Sequence, residues 1–285
     1  MLITAAILLA LDFVVNKIYQ KLEGTSPQAG LAFNSLLGLF TAVVFFIING
    51  FKIEVSGYSF VMAASVSCFV MGYNMIGFRL LKSGTMAMYT LFLMTGGMII
   101  PYILGFLFLN EPCSIARTIG LTLILAGIIL SNFSNQKINF KQIAMCIAVF
   151  VLNGFVSIIS KLHQIESDFD TINAAEFVIL SGIFKFILAG ILYMSVKKTE
   201  KIKSANYSRL AILFTIAASA VAGGISYLLQ LWGAASLPAT VLYPFVTGGS
   251  IVFSALAGMA FFKEKLSKKQ IGGIMFCFLG TIMFL

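Results

Sequence analysis

Acidic residues are scarce in this sequence, with ten Asp and Glu against 19 Lys and Arg in 285 residues, so that only 10% of the chain is charged. A soluble domain carries about 25% charged residues. This chain therefore lacks the polar surface an ordinary globular protein needs. Histidine is reduced to His163, and Cys68, Cys113, Cys146 and Cys277 have neither CxxC spacing nor a histidine beside them. Neither a zinc site nor a disulfide framework is expected. The period-two alternation of barrel strands is missing, which argues against a transmembrane β-barrel. No nucleophile elbow, phosphate-binding glycine loop or metal constellation is present, so no enzyme and no cofactor is expected. The N-terminus has no basic n-region and no small-residue cleavage site, which makes residues 2–19 a retained first helix rather than a signal peptide.

Apolar residues fill the space the charges leave: 60% of the chain is hydrophobic and the mean hydropathy is +1.01. A bilayer core takes about 20 apolar residues per helix, with every backbone polar group satisfied within the helix. The apolar runs predict helices near 2–19, 29–49, 58–80, 85–109, 116–133, 141–162, 172–195, 209–233, 238–262 and 268–285. The expected fold class is an all-α polytopic membrane protein of ten transmembrane helices, multi-pass in the cell membrane. The longest polar stretches, Gln164 to Thr171 and Lys197 to Arg209, are too short for a soluble domain, so function must lie in the bundle or at its rims.

The net charge of +9 does not indicate nucleic acid, because the basic residues sit in the breaks between apolar runs. There they act as topology signals and lipid-headgroup contacts. Fifteen Lys and Arg fall on loops 1–2, 3–4, 5–6, 7–8 and 9–10, whereas Lys52, Arg117 and Lys161 fall on the opposite side. The positive-inside rule then places both termini outside the cytoplasm.

The chain also repeats itself. Residues 33–40 (FNSLLGLF) align with 177–184 (FVILSGIF) at an offset that also sets Lys17 against Lys161. Thr95-Gly96-Gly97 matches Thr247-Gly248-Gly249, and Glu111, Ser114, Gly120 and Gly127 match Glu264, Ser267, Gly273 and Gly280. The units are residues 1–137 and 138–285, five helices each. Since five is odd, the second copy enters the membrane from the other side, and inverted repeats suit alternating access around a midplane site.

Leu109-Asn110-Glu111-Pro112 followed by Arg117, Gly120 and Ala126-Gly127 resembles the end of an EamA-like repeat, and Phe262-Lys263-Glu264-Lys265-Leu266-Ser267 followed by Gln270, Gly273 and Leu279-Gly280 resembles the end of a second. By that resemblance the chain is similar to the drug/metabolite transporter superfamily along essentially its whole length. The resemblance implies a ten-helix bundle moving amino acids, sugars, nucleobases or related metabolites, usually driven by ion or substrate gradients. It also implies both termini inside, against the charge count. Helices 4 and 9 are similar to those of the small multidrug resistance proteins, which use a glutamate in the first helix; this chain has Asp12 there. Where the family often has proline in the middle of helices 4 and 9, Gly-Gly pairs stand here, with Pro101 just after the first.

Asp12 lies well inside helix 1, where a carboxylate must face a cavity, a partner or a proton. It is the leading candidate to bind a substrate ammonium or carry a coupled proton, with an ion pair to Lys17 as the alternative. Asn16 and Tyr19 continue its polar stripe. Asn153, Ser157 and Ser160 share a face of helix 6; Asn74, Tyr227, Gln230 and Trp232, with Tyr89 and Tyr243 in helices 4 and 9, complete the expected lining for a small polar metabolite. Each alone could be interhelical glue. Glu176 is a second coupling-ion candidate, and Lys185 is expected to snorkel or form an internal ion pair more readily than to touch substrate. Glu111 and Glu264, near basic residues, are expected to be structural, and Gly120, Gly127, Gly273 and Gly280 to let helices 5 and 10 approach as a scaffold.

The expected function is secondary transport of a small polar metabolite, an amino acid or similar, by alternating access with a proton as candidate coupling ion. Alternatives are a multidrug exporter of lipophilic cations, or a lipid-linked-sugar flippase or non-transporting scaffold. Expected partners are a small-molecule substrate and the lipid bilayer, with no nucleic acid, in a monomer or homodimer.

Overall fold

Segments this apolar can satisfy their backbone in lipid only as helices, and the computed structural model is a bundle of ten. It describes residues 1–82, 86–132, 139–196 and 209–285. The helices are α1 (Leu2–Glu23), α2 (Pro27–Ile48), α3 (Gly57–Lys82), α4 (Met86–Phe108), α5 (Ile115–Asn132), α6 (Phe140–Ile165), α7 (Ala174–Ser195), α8 (Arg209–Ser236), α9 (Ala239–Phe262) and α10 (Lys268–Ile282). Lys137, Lys197, Lys198, Lys201 and Lys203, counted above for topology, lie outside the described residues.

Nine of these helices are long and apolar enough to cross a membrane. The exception is α10, whose 15 residues reach roughly 22 Å against a core of about 30 Å; it lies against α5 and α9. By contrast, α1 continues past the expected residue 19 to Glu23, because Asn16, Lys17, Gln20 and Lys21 border a cavity rather than lipid. The helix starts follow local chemistry. Ser26 caps α2 with Pro27 in its first turn, and Asn139/Gln142, Asn173/Glu176 and Ser267/Gln270 form capping boxes on α6, α7 and α10.

The packing is nearly unchanged when each helix is exchanged with the one five places along. α2 packs on α7 and α5 on α10; α4 packs on α6 as α9 does on α1; α3 packs on α6 as α8 does on α1. Single residues follow the same exchange. A Cβ at Gly38 would come 2.6 Å from the Gly182 carbonyl oxygen, and one at Gly182 would come 2.9 Å from that of Gly38, so α2 and α7 cross where both lack side chains. Gly120 and Gly280 give α5 and α10 the same kind of crossing, with distances of 2.8 and 2.6 Å. Gly96 backs onto Phe150 of α6, and Gly249 onto Ala6 of α1. That contact pairs Gly96 with Gly249, one residue away from the Thr-Gly-Gly match. Without a hydrophobic drive between helices in lipid, such close backbone contacts supply the packing energy. Gly38→Val is expected to lower the yield of folded protein severalfold and depress the detergent melting temperature, measured by fluorescence-detected size exclusion. Gly190→Val, on the same side of the bundle but with only Ser35 Oγ near, at 3.5 Å, should change either much less.

Candidate functional site

Within the bundle lies a cavity of about 970 Å³, walled by α1, α2, α3, α4, α6, α7, α8 and α9. Its mouth is set by Lys17, Gln20, Lys21 and the turn Gly24–Ser26 between α1 and α2, the end of the bundle to which the sequence assigns most Lys and Arg. On the far side it stops at Ser160, Gln230 and Leu231. The cavity is thus open to the basic face and closed to the face carrying the termini.

Asp12 lines this chamber from α1. Asn16 Nδ2 donates to its Oδ2 at 3.1 Å, and the Ser219 hydroxyl of α8 donates to Oδ1. Gly223 makes room for it, since a Cβ there would lie 3.1 Å from the carboxyl carbon. Lys17, the alternative partner, is engaged elsewhere, with Glu264. Lys185 enters the same chamber from α7 and interacts electrostatically with Asp12, yet the two are not in ion-pair contact: among the described residues the ion pairs are Lys17–Glu264 and Lys161–Glu111. The expectation that Lys185 snorkels to the rim or forms an internal ion pair is therefore replaced by a lysine facing the chamber near Asp12 without an ion-pair contact. Without a direct ion pair, a lysine among apolar helices needs polar surroundings, and the chamber supplies them.

Asn16, Asn74, Tyr89, Asn153, Ser157, Tyr227, Gln230 and Tyr243 all line the chamber with Asp12. Several are also held by backbone. Asn153 Nδ2 donates to the Leu93 carbonyl at 2.7 Å, and Ser157 Oγ to that of Gly97 at 3.2 Å. Pro101 has no N–H to give the Gly97 carbonyl four residues before it, so Ser157 repairs the gap. Tyr243 donates to the Ser157 carbonyl at 2.5 Å, and Tyr227 shares a 2.7 Å hydrogen bond with Ser160. Asn74 Nδ2 donates to Asn34 Oδ1 at 3.3 Å. Polar glue and chamber lining turn out to be one set of residues.

Two expected site residues lie elsewhere. Trp232 is half exposed on the outside of α8, away from the chamber, because Gln230 already takes the inward direction two residues earlier. Glu176 is buried in the capping box of α7, where its carboxylate accepts from the Asn173 amide at 3.1 Å; a charge spent on a helix start is not available to bind an ion. Besides Lys185, the lining residues that periodicity left unmarked include Asn34, Tyr73, Thr90, Thr247, Ser250 and Ser254. Single polar residues in apolar helices carry no stripe to reveal them. A second proline, Pro244, lies inside α9 as Pro101 does in α4. Both helices therefore carry the interruption the resembled family has, and α9 was expected to lack it.

The model of the EamA-like transporter family matches residues 140–285, from the first residue of α6 to the end of the chain. The chain belongs to the EamA-like transporter family. It is a multi-pass integral membrane protein and a membrane transporter. A crystal structure 13% identical in sequence superposes on this EamA-like chain with a TM-score of 0.77, covering 98% of this chain and 93% of its own, a likeness of fold alone. No curated protein matches the sequence.

Proposed function

We propose that this EamA-like chain is a secondary transporter of small zwitterionic metabolites, amino acids or close relatives, working by alternating access between the five-helix units 1–137 and 138–285. The observation that carries the reading is a membrane-embedded chamber in which, below the Lys17 and Lys21 mouth, the Asp12 carboxylate and the Lys185 ammonium face the same space without an ion-pair contact. A cargo with an ammonium for Asp12 and a carboxylate for Lys185 satisfies both charges. Asn16, Asn153, Gln230 and the tyrosines offer neutral hydrogen-bonding groups around it. Asp12 also serves as proton carrier, since a carboxylate within the span exchanges protons with the open face.

The aromatic walls, with Phe13, Phe33, Tyr73 and Tyr89, favour a second reading, export of lipophilic cations. Lys185 opposes it, because a free ammonium repels a cationic cargo. Proteoliposome flux against a panel of amino acids and lipophilic cations, with and without a proton gradient, separates the two. Lys185→Met is expected to weaken amino-acid transport roughly tenfold or more, the worth of one charge-assisted hydrogen bond, and to leave or improve the handling of cations. Uptake of amino acids by Lys185→Met at the parent rate would discard the zwitterion assignment.

A further inference from the structure

The two ion pairs of the described chain join corresponding residues of the two halves. Lys17 and Lys161 stand at one sequence offset and Glu111 and Glu264 at another, and the structure pairs Lys17 with Glu264 and Lys161 with Glu111. The local scaffolds also correspond. Asn110 and Lys263 both adopt left-handed backbone, φ 51° and 53°, at the ends of α4 and α9. The amides of Glu111 and Glu264 then turn back to the carbonyls of Gly105 and Gly258, and each glycine leaves space for the glutamate after it.

Only the surroundings differ. At the closed end, Lys161 and Glu111 side chains are 6% and 8% exposed. The lysine donates to the carbonyls of Ala234 and Leu237 at the end of α8, and the glutamate accepts from the amides of Ala239 and Thr240 at the start of α9. One pair thereby ties α4, α6, α8 and α9 together beneath the chamber floor. At the open mouth, Lys17 and Glu264 are 43% and 41% exposed, and Lys17 borders the cavity entrance.

We propose that the two pairs are alternating latches: Lys161–Glu111 seals the terminal face in this state, and Lys17–Glu264 seals the basic face in the opposite one, with Glu264 then seated on the start of α4 as Glu111 now is on α9. The inference rests on the alternating-access reading. An ion pair contributes little in water and costs much to break once buried, so each latch biases chiefly the state that buries it. Removing one shifts the population toward opening on its own side.

The test places a cysteine on the chamber wall, Ser157→Cys, in a chain whose exposed Cys68 and Cys113 are replaced by serine, and measures labelling by a membrane-impermeant maleimide from each face. Glu111→Gln is expected to raise the ratio of terminal-face to basic-face labelling roughly tenfold or more. Glu264→Gln, an exposed site that folding tolerates, should lower it severalfold, and the double variant should return it near the parent value. Labelling from both faces with a ratio that the two single variants leave unmoved, or move the same way, overturns the latches and spares alternating access. Labelling from the basic face alone in every variant overturns both.

Discussion

Asp12→Asn is expected to bring concentrative transport down by roughly ten- to a hundredfold and to flatten its dependence on pH. The asparagine keeps the size of the side chain and can still accept from Ser219, whose hydroxyl now reaches Oδ1, so the chamber retains its shape. What goes is the charge. A hydrogen bond between a cargo ammonium and a carboxylate is worth about 1.5–3 kcal/mol more than none, which corresponds to about one to two powers of ten in affinity. The amide also cannot take up a proton, so a carrier that used Asp12 for coupling loses accumulation while retaining downhill exchange. Counterflow and gradient-driven uptake in the same proteoliposomes separate the two losses. Wild-type rates with an unaltered pH profile in the Asn variant would eliminate Asp12 from both roles.

The largest expected loss of stability is Glu111→Ala. The Glu111 carboxylate lies 3.7 Å from the Lys161 ammonium and accepts 2.8 and 2.9 Å hydrogen bonds from the first amides of α9. Its removal leaves Lys161 facing two carbonyls with no counter-charge and strips the start of α9 of its cap. Breaking a buried pair by deleting one partner costs about 3–5 kcal/mol, and the lost cap adds about 1 kcal/mol. Lys161→Met is the milder change, because the glutamate keeps its two backbone donors and the thioether fills the stem's volume. Glu264→Ala at the exposed pair should cost no more than about 1 kcal/mol. Thermal denaturation in detergent ranks the three. A melting temperature for Glu111→Ala no lower than that of Glu264→Ala would show that the closed end is held by packing alone.

Much of this was legible in the sequence. Ten apolar runs gave ten helices, since backbone in lipid has no other means of satisfaction. The repeated glycines of helices 5 and 10 marked the α5–α10 crossing, because a missing side chain is the feature that allows such approach; the α2–α7 crossing at Gly38 and Gly182 became visible only in the structure. Asp12 and the polar face of α6 pointed inward, as polar groups in a span must. The misreadings share a cause. Trp232, Glu176 and Lys185 were judged by residue type and depth, but their roles depend on direction about the helix axis and on what the neighbouring helix offers. Glu176 looked like a free carboxylate until Asn173 completed a capping box with it, and Lys185 looked like a snorkelling or ion-paired cation until α7 turned it toward the cavity.

Composition by itself determined that this chain lives in a membrane as a helical bundle, and repetition pointed to two related halves, because hydrophobic length and repeated small residues act locally along one chain. Which way the chamber faces, that Asp12 and Lys185 share it without touching, and that corresponding lysine–glutamate pairs are buried at one end and exposed at the other were decided only in three dimensions. Each of these depends on side chains from different helices, far apart in the chain, meeting at particular angles, and nothing in a linear order records those angles.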